Sequence, residues 1–273
     1  MFFARFFKKL SIFSSFFDFM NIVSYIALTK AFACDIIHKY FIKDAYINLR
    51  EPTFCRAGRR RMIKHYIFDF DGTLADSMPY LGQAVKTYLD EQCISYGDDL
   101  IEKTMPLGLY GIAKYFIERY GVKAAADEIY EWFLKKLCPE YDEKIPLKPH
   151  ALALIAKLRS GGATCDMLTA SPHSIIDKCA ERNGVRAVLR HCWTVEDFGD
   201  LKKNGTQIYF EVARRLGAKL EECALLDDNI EALTAAKNAG FAAIGVYDEF
   251  SKNTEEKIRA FADKYIYDFA ELI

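Results

Sequence analysis

The sequence predicts an α/β fold: a doubly wound parallel sheet with an inserted α-helical subdomain. Three observations predict it. Short apolar runs alternate with helical patterns that end in glycine. One long interval between the first two runs is helical throughout. The first run ends in two aspartates one residue apart, followed at once by glycine.

The elements follow in order. Residues 65–70 (HYIFDF) form a mostly apolar run closed by Gly72, as in a buried parallel strand. Further runs lie at 163–168, 191–194, 224–226 and 242–246. Helices fit between the later runs. HALALIAKLRSGG follows Pro149 and stops at Gly161-Gly162, and HSIIDKCAERNG follows Pro172 and stops at Gly184. TQIYFEVARRLG ends at Gly217, and NIEALTAAKNAG ends at Gly240. Between the first and second strands the chain reads as helices: YLGQAVKTYLDEQ, YGIAKYFIERYG and AADEIYEWFLKKL. That stretch is too long for a simple crossover, so residues 78–146 are expected to be an inserted helical subdomain. Residues 62–77 and 147–273 then make up the sheet core. The aromatics Tyr110, Tyr115, Phe116 and Trp132 of the insertion read as its packing stripe.

The chain has 273 residues, about half of them hydrophobic, and a formal net charge of -1. The charge is divided unevenly. Residues 1–61 carry 11 Lys+Arg against 4 Asp+Glu, and residues 62–273 carry 26 against 34. The acidic globular part has no basic face for nucleic acid. The eight cysteines, Cys34, Cys55, Cys93, Cys138, Cys165, Cys179, Cys192 and Cys223, form no CxxC pair. Thiols so scattered fit a reducing cytoplasm rather than a disulfide framework or a zinc site.

Residues 1–61 form a hydrophobic, basic N-terminal extension with four open readings. As a membrane span it is poor, because Asp18 and Asn21 interrupt the run from Leu10 to Leu28 and a central charge costs about 2.5–3.5 kcal/mol. Ala31-Phe32-Ala33 resembles a signal-peptidase site. A surface-lying amphipathic anchor is a third reading. The fourth is that translation starts at Met62. Gly58-Arg59-Arg60-Arg61 can be encoded by purine-rich codons that spell a bacterial ribosome-binding site, and the extension is then untranslated DNA read in frame.

The chemistry-bearing residues sit where strands end, and open α/β sheets bind ligands beyond those ends. Side chains alternate along a strand, so Asp69 and Asp71 face one space while Phe70 points into the core. Two unpaired carboxylates repel, and a divalent cation relieves the repulsion; hard Mg²⁺ favours oxygen ligands. Gly72 permits a sharp turn and a close approach to a ligand. Thr73 and Asp76 are placed to hydrogen-bond that turn.

The stretch DFDGTLADS resembles the first motif of the haloacid dehalogenase superfamily, DxDGTLxDS. Three further motifs follow in family order: LTAS ending at the second strand with Thr169, KKNGTQIYFEVARRLG carrying a lysine, and LLDDNIEALTAAKNAG with Asp227 and Asp228. The resemblance covers residues 62–273. It implies a Rossmann-like core with a helical cap, closest to the phosphoglycolate phosphatase-like and β-phosphoglucomutase-like branch.

By that resemblance Asp69 is the nucleophile that forms an aspartyl-phosphate. Asp71 is the acid that protonates the leaving oxygen and then the base that activates water. Thr169, the backbone of Ala170 and Lys203 bind the phosphoryl oxygens. Ser171 offers its hydroxyl, although a plain turn at Ala170 and Ser171 is an equal reading. Mg²⁺ is held by Asp69, by the Asp71 backbone carbonyl and by Asp228, with Asp227 behind. Lys202 competes with Lys203, because Asn204 and Thr206 stand where the family often has prolines. Ala232 stands where many members have a second aspartate, and the Asp227-Asp228 pair takes its place. His173 reads as a helix-start residue.

The implied function is Mg²⁺-dependent hydrolysis of a small phosphorylated metabolite, by a cytoplasmic monomer or homodimer with no membrane partner for residues 62–273. Two alternatives remain. A sugar phosphomutase would need a cap cation for a second phosphate, for which Lys86, Lys103, Lys114 and Arg119 are the candidates. The other is a non-catalytic phosphate-binding regulatory module.

Overall fold

In the computed structural model the residues described are 62–273. The expectations placed on residues 1–61 lie outside them. Six parallel strands are arranged in the order β3-β2-β1-β4-β5-β6. They are β1 (His65–Phe68), β2 (Thr164–Thr169), β3 (Cys192–Thr194), β4 (Cys223–Asp227), β5 (Ala242–Val246) and β6 (Lys264–Ile266). From β1 at the centre of the sheet the chain steps outward on one side and then crosses to the other. The strand order therefore reverses beside β1, between β2 and β4, where a doubly wound fold opens its crevice.

The strands are apolar on both faces because helices cover both. On one side Phe68, Phe70, Leu226 and Ile244 join one apolar layer. On the other, Ile67, Leu168, Leu225 and Ala243 join a second layer with Ile208, Val212 and Leu233. Alternating residues of one strand, such as Ile67 and Phe68, thus enter opposite cores.

Between β1 and β2 lie α1 (Met78–Glu91), α2 (Leu100–Thr104), α3 (Gly108–Tyr120), α4 (Ala126–Glu143) and α5 (Ala151–Ser160). The later connections carry α6 (His173–Arg182), α7 (Val185–Val188), α8 (Thr206–Leu216), α9 (Ile230–Ala239) and α10 (Glu255–Phe261). Within the insertion, Phe116 stacks on Tyr88 with ring centroids 5.4 Å apart, and Trp132 meets Tyr88 edge-on at 5.0 Å. Tyr110 departs from the expected stripe. It is 43% exposed and packs its edge on Tyr130.

Several boundaries differ from the sequence expectation for physical reasons. The β1 ladder ends at Phe68, although the Asp69 amide still donates to the Leu226 carbonyl at 2.9 Å. The short strand β6 was not expected; its three residues pair only with β5, and its first residue is exposed. The short α2 carries too few residues to show a period. Most consequential is α4, which continues through Pro139 to Glu143. A proline inside a helix removes one hydrogen bond and crowds the preceding turn. The apolar face outweighs this: Ile129, Phe133, Leu137 and Tyr141 recur every fourth residue and are all buried. Among the described residues no helix is long and apolar enough to cross a membrane.

Candidate active site

The first acidic pair is placed by β1 and the turn after it. The turn is closed by Ala75 N–H donating to the Phe70 carbonyl at 2.8 Å and Gly72 N–H donating to the Ala75 carbonyl at 3.1 Å. Gly72 has φ +71°, and a Cβ there would lie 2.8 Å from Asp228 Oδ2. Both the backbone conformation and the close approach of a carboxylate therefore require glycine.

Three carboxylates converge at the ends of β1 and β4. Asp69, Asp227 and Asp228 are all buried, and each offers an oxygen within 4.8 Å of the others. Among the described residues a single cation contacts them. Lys203 Nζ lies 2.6 Å from Asp69 Oδ1 and 2.8 Å from Asp227 Oδ2. Both of those buried oxygens face the ammonium. Burial disfavours the Lys203 ammonium, but Asp227 and Asp69 outweigh it and hold the lysine charged. Tyr209 anchors this lysine by donating its hydroxyl to the Lys203 carbonyl at 2.8 Å and to the Ala232 carbonyl at 3.2 Å. Ala232, at the position where many family members have a second aspartate, thus contributes a backbone oxygen instead. Lys202 is exposed.

Asp228 has no such cation in contact. Thr73 Oγ1 donates to its Oδ1 at 3.3 Å, while the Thr73 amide donates to the Phe70 carbonyl within the turn at 3.3 Å. Burial, followed by the charges of Asp227, Asp69 and Asp248, pushes the Asp228 carboxyl well above the usual carboxylate range. Asp227 is pushed up to about 6, chiefly by burial and against the pull of Lys203. A buried cluster with more carboxylate charge than one lysine neutralises, made of oxygen donors alone, suits a hard divalent cation. Asp69, Asp227 and Asp228 are the side chains that would hold it. Behind Asp228, Lys148 Nζ pairs with the buried Asp248 at 2.8 Å and donates to the Tyr247 carbonyl at 2.7 Å.

Asp71 is held differently. Ser77 Oγ donates to its Oδ1 at 2.6 Å, Tyr141 OH to the same oxygen at 2.5 Å, and Ser171 Oγ to Oδ2 at 2.5 Å. Burial raises the Asp71 carboxyl, and the hydroxyl bonds from Ser171, Ser77 and Tyr141 oppose the rise. Thr169 is buried, and its Oγ1 accepts from the Ser171 amide at 3.2 Å. Ala170 is exposed beside it. The Ser171 hydroxyl is directed to Asp71 rather than kept free for an anion. His173 begins α6 as expected, its ring between Asp177 at 3.1 Å and Asp197 at 3.0 Å.

Ser77, Tyr141, Lys148 and Asp248 carry no assigned role in the sequence reading. Ser77 had a signal, since it closes the DFDGTLADS motif. Tyr141 had none. It lies beyond Pro139, and an aromatic at helical spacing looks like core. The cations considered for a second phosphate are exposed. Lys103 is paired with Asp99, and Lys114 lies over the Tyr110 ring at 4.9 Å.

A doubly wound parallel sheet with a buried acid cluster and one lysine at its strand ends defines a class of α/β enzyme. Residues 63–240 match the model of the haloacid dehalogenase-like hydrolases, and the chain belongs to that family. It is 23% identical over 193 residues to a probable pseudouridine-5'-phosphatase of Drosophila melanogaster, covering 69% of this chain and 83% of that protein. It is 25% identical over 192 residues to hexitol phosphatase B of Escherichia coli K12, covering 68% and 84%. Among solved structures, CbbY of Rhodobacter sphaeroides in complex with phosphate has the same fold, with a TM-score of 0.67 and 22% identity over 77% of this chain and 96% of that one. A putative β-phosphoglucomutase of Thermotoga maritima superposes with a TM-score of 0.60 and 19% identity, covering 77% and 96%.

Proposed function

We propose that this hydrolase is a Mg²⁺-dependent phosphatase of a small phosphorylated sugar or sugar alcohol, working through an aspartyl-phosphate at Asp69. The observation that carries the reading is the pairing of Asp69 with Lys203 inside the buried acid cluster. A carboxylate fixed in place beside an ammonium is a candidate nucleophile, and the same lysine can meet the phosphoryl oxygens. Mg²⁺ bound there supplies the charge neutralisation that lets an anionic ester approach an anionic nucleophile.

The steps use this chain's own residues. An Asp69 oxygen attacks phosphorus while the bond to the leaving oxygen breaks, and Asp71 gives that oxygen its proton. Asp71 then takes a proton from water as the water oxygen bonds to phosphorus and the Asp69–phosphorus bond breaks. Inorganic phosphate leaves, and both aspartates return to their starting states. Lys203, Thr169 and the Ala170 backbone bind the phosphoryl group. Residues 62–77 and 147–273 form the catalytic core in this reading. Residues 78–146 form a cap that excludes water during the first step, and the enzyme is cytoplasmic, as a monomer or homodimer.

The names of the relatives support the substrate class: pseudouridine-5'-phosphate and hexitol phosphates are small sugar-derived monoesters. A phosphomutase would need a free cap cation, and two of the four candidates are already occupied. A panel of sugar and sugar-alcohol phosphates, tested with Mg²⁺ and with a chelator, checks the proposal. Metal-dependent release of inorganic phosphate is expected. Conversion of a hexose 1-phosphate to its isomer without phosphate release would overturn it.

A further inference from the structure

Asp71 is gripped by three hydroxyls, and they do not come from one part of the chain. Ser77 follows the β1 turn and Ser171 follows β2, whereas Tyr141 stands near the end of α4 in the long helical insertion. Tyr141 is fully buried and cannot swing independently of its helix. Its backbone carbonyl accepts from Arg182 Nη2 of α6 at 3.2 Å, and that same nitrogen donates to the Ile145 carbonyl at 2.6 Å. The phenol is therefore fixed at the contact between the insertion and the core.

From this geometry we infer that Tyr141 is a positioning residue for the acid–base group. It sets the direction of the Asp71 carboxyl and ties that direction to the seat of α4 against α6. The inference rests on the phosphatase reading above. The chemistry is that of Asp71: its proton passes to the leaving oxygen as the phosphorus–oxygen bond breaks, and it regains a proton from the attacking water. Tyr141 exchanges no proton with substrate. It restrains one carboxylate oxygen, together with Ser77, so that the group points in one direction when the ester arrives.

Para-nitrophenyl phosphate and phenyl phosphate with Mg²⁺ are the probes, because the second has the poorer leaving group and depends more on an acid. Tyr141→Phe removes only the hydroxyl and keeps the buried ring. It is expected to lower kcat/KM on phenyl phosphate about tenfold, a fraction of the 10²–10⁴ of a positioned acid–base group. The loss on para-nitrophenyl phosphate should be smaller. In an Asp71→Asn background the same substitution should cost nothing further in the single-turnover release of phenol from phenyl phosphate. Ser77→Ala, which removes the other donor to that oxygen, should show the same pattern and guards against a fold defect in Tyr141→Phe. Equal losses in both backgrounds and on both esters, or no loss at all, would overturn the inference while the phosphatase reading stands. If the wild type hydrolyses neither ester, that reading fails first and takes the inference with it.

Discussion

Two buried acidic sites lie on the same sheet and are compensated in opposite ways. Asp166, in the middle of β2, is fully buried. Arg190 Nε and Nη2 reach its two oxygens at 3.2 Å, His191 Nδ1 lies 2.7 Å away, and Thr164 Oγ1 donates at 3.3 Å. Every oxygen there has a partner. At the strand ends, three carboxylates share one lysine, which contacts Asp69 and Asp227 but not Asp228. Buried charge is normally paired. The site left short of partners is the one poised for an ion and an anionic substrate, and the fully satisfied one is architecture.

That contrast can be broken by substitution. The largest effect belongs to Asp69→Asn, which keeps the shape of the side chain but removes the nucleophile. Turnover of any phosphoester found for the wild type should fall to background while the thermal unfolding profile stays cooperative. Full activity in this variant would end the assignment. Next comes Lys203→Met, which removes the one cation that contacts the cluster among the described residues. Breaking a buried ion pair costs about 3–5 kcal/mol, and urea titration should register a loss of that order unless Mg²⁺ is present to replace the charge.

Asp166→Asn tests the other half. It weakens the pairing with Arg190 and His191, and the expected cost is about 1–3 kcal/mol in unfolding. Its kcat should match the wild type, because none of its partners belongs to the acid cluster. A large fall in kcat with unchanged stability would erase the distinction between the two sites.

The smallest effect is a pH dependence of metal stabilisation. The Asp228 carboxyl is raised in the folded protein, so the metal-free fold binds more protons than the unfolded chain. That stability is present at low pH and is lost as pH rises from the ordinary carboxylate range toward the raised value. Mg²⁺ removes the penalty, so it should raise the melting temperature more at about pH 8 than at about pH 5. A larger shift at the lower pH would contradict the electrostatic account.

The two sites also show what the sequence could reveal. The strand-end residues were legible because their chemistry is local: DFDG and LLDD place pairs of carboxylates within a few residues, and glycine marks the turn. The choice of Lys203 over Lys202 came from the motif alignment and not from local chemistry, since it depends on which face of the turn before α8 points inward. Asp166 reads as one polar residue in an apolar run, and its partners Arg190 and His191 lie a helix away. Tyr141 was hidden further still. Pro139 ends the helical pattern by local rules, and only the packing of Leu137 and Tyr141 against the core carries α4 past it. Strand β6 gains its place from pairing with β5, which a three-residue run cannot announce.

The most direct test of the central claim uses Asp71→Asn, para-nitrophenyl phosphate and Mg²⁺. This ester needs little help from an acid, so the first step should proceed, but without Asp71 no base activates water for the second. Acid quenching followed by peptide mass spectrometry should find one phosphoryl group per chain, on Asp69, with a matching burst of nitrophenol. Steady turnover with unmodified enzyme, or a phosphoryl group on any other residue, would contradict the account.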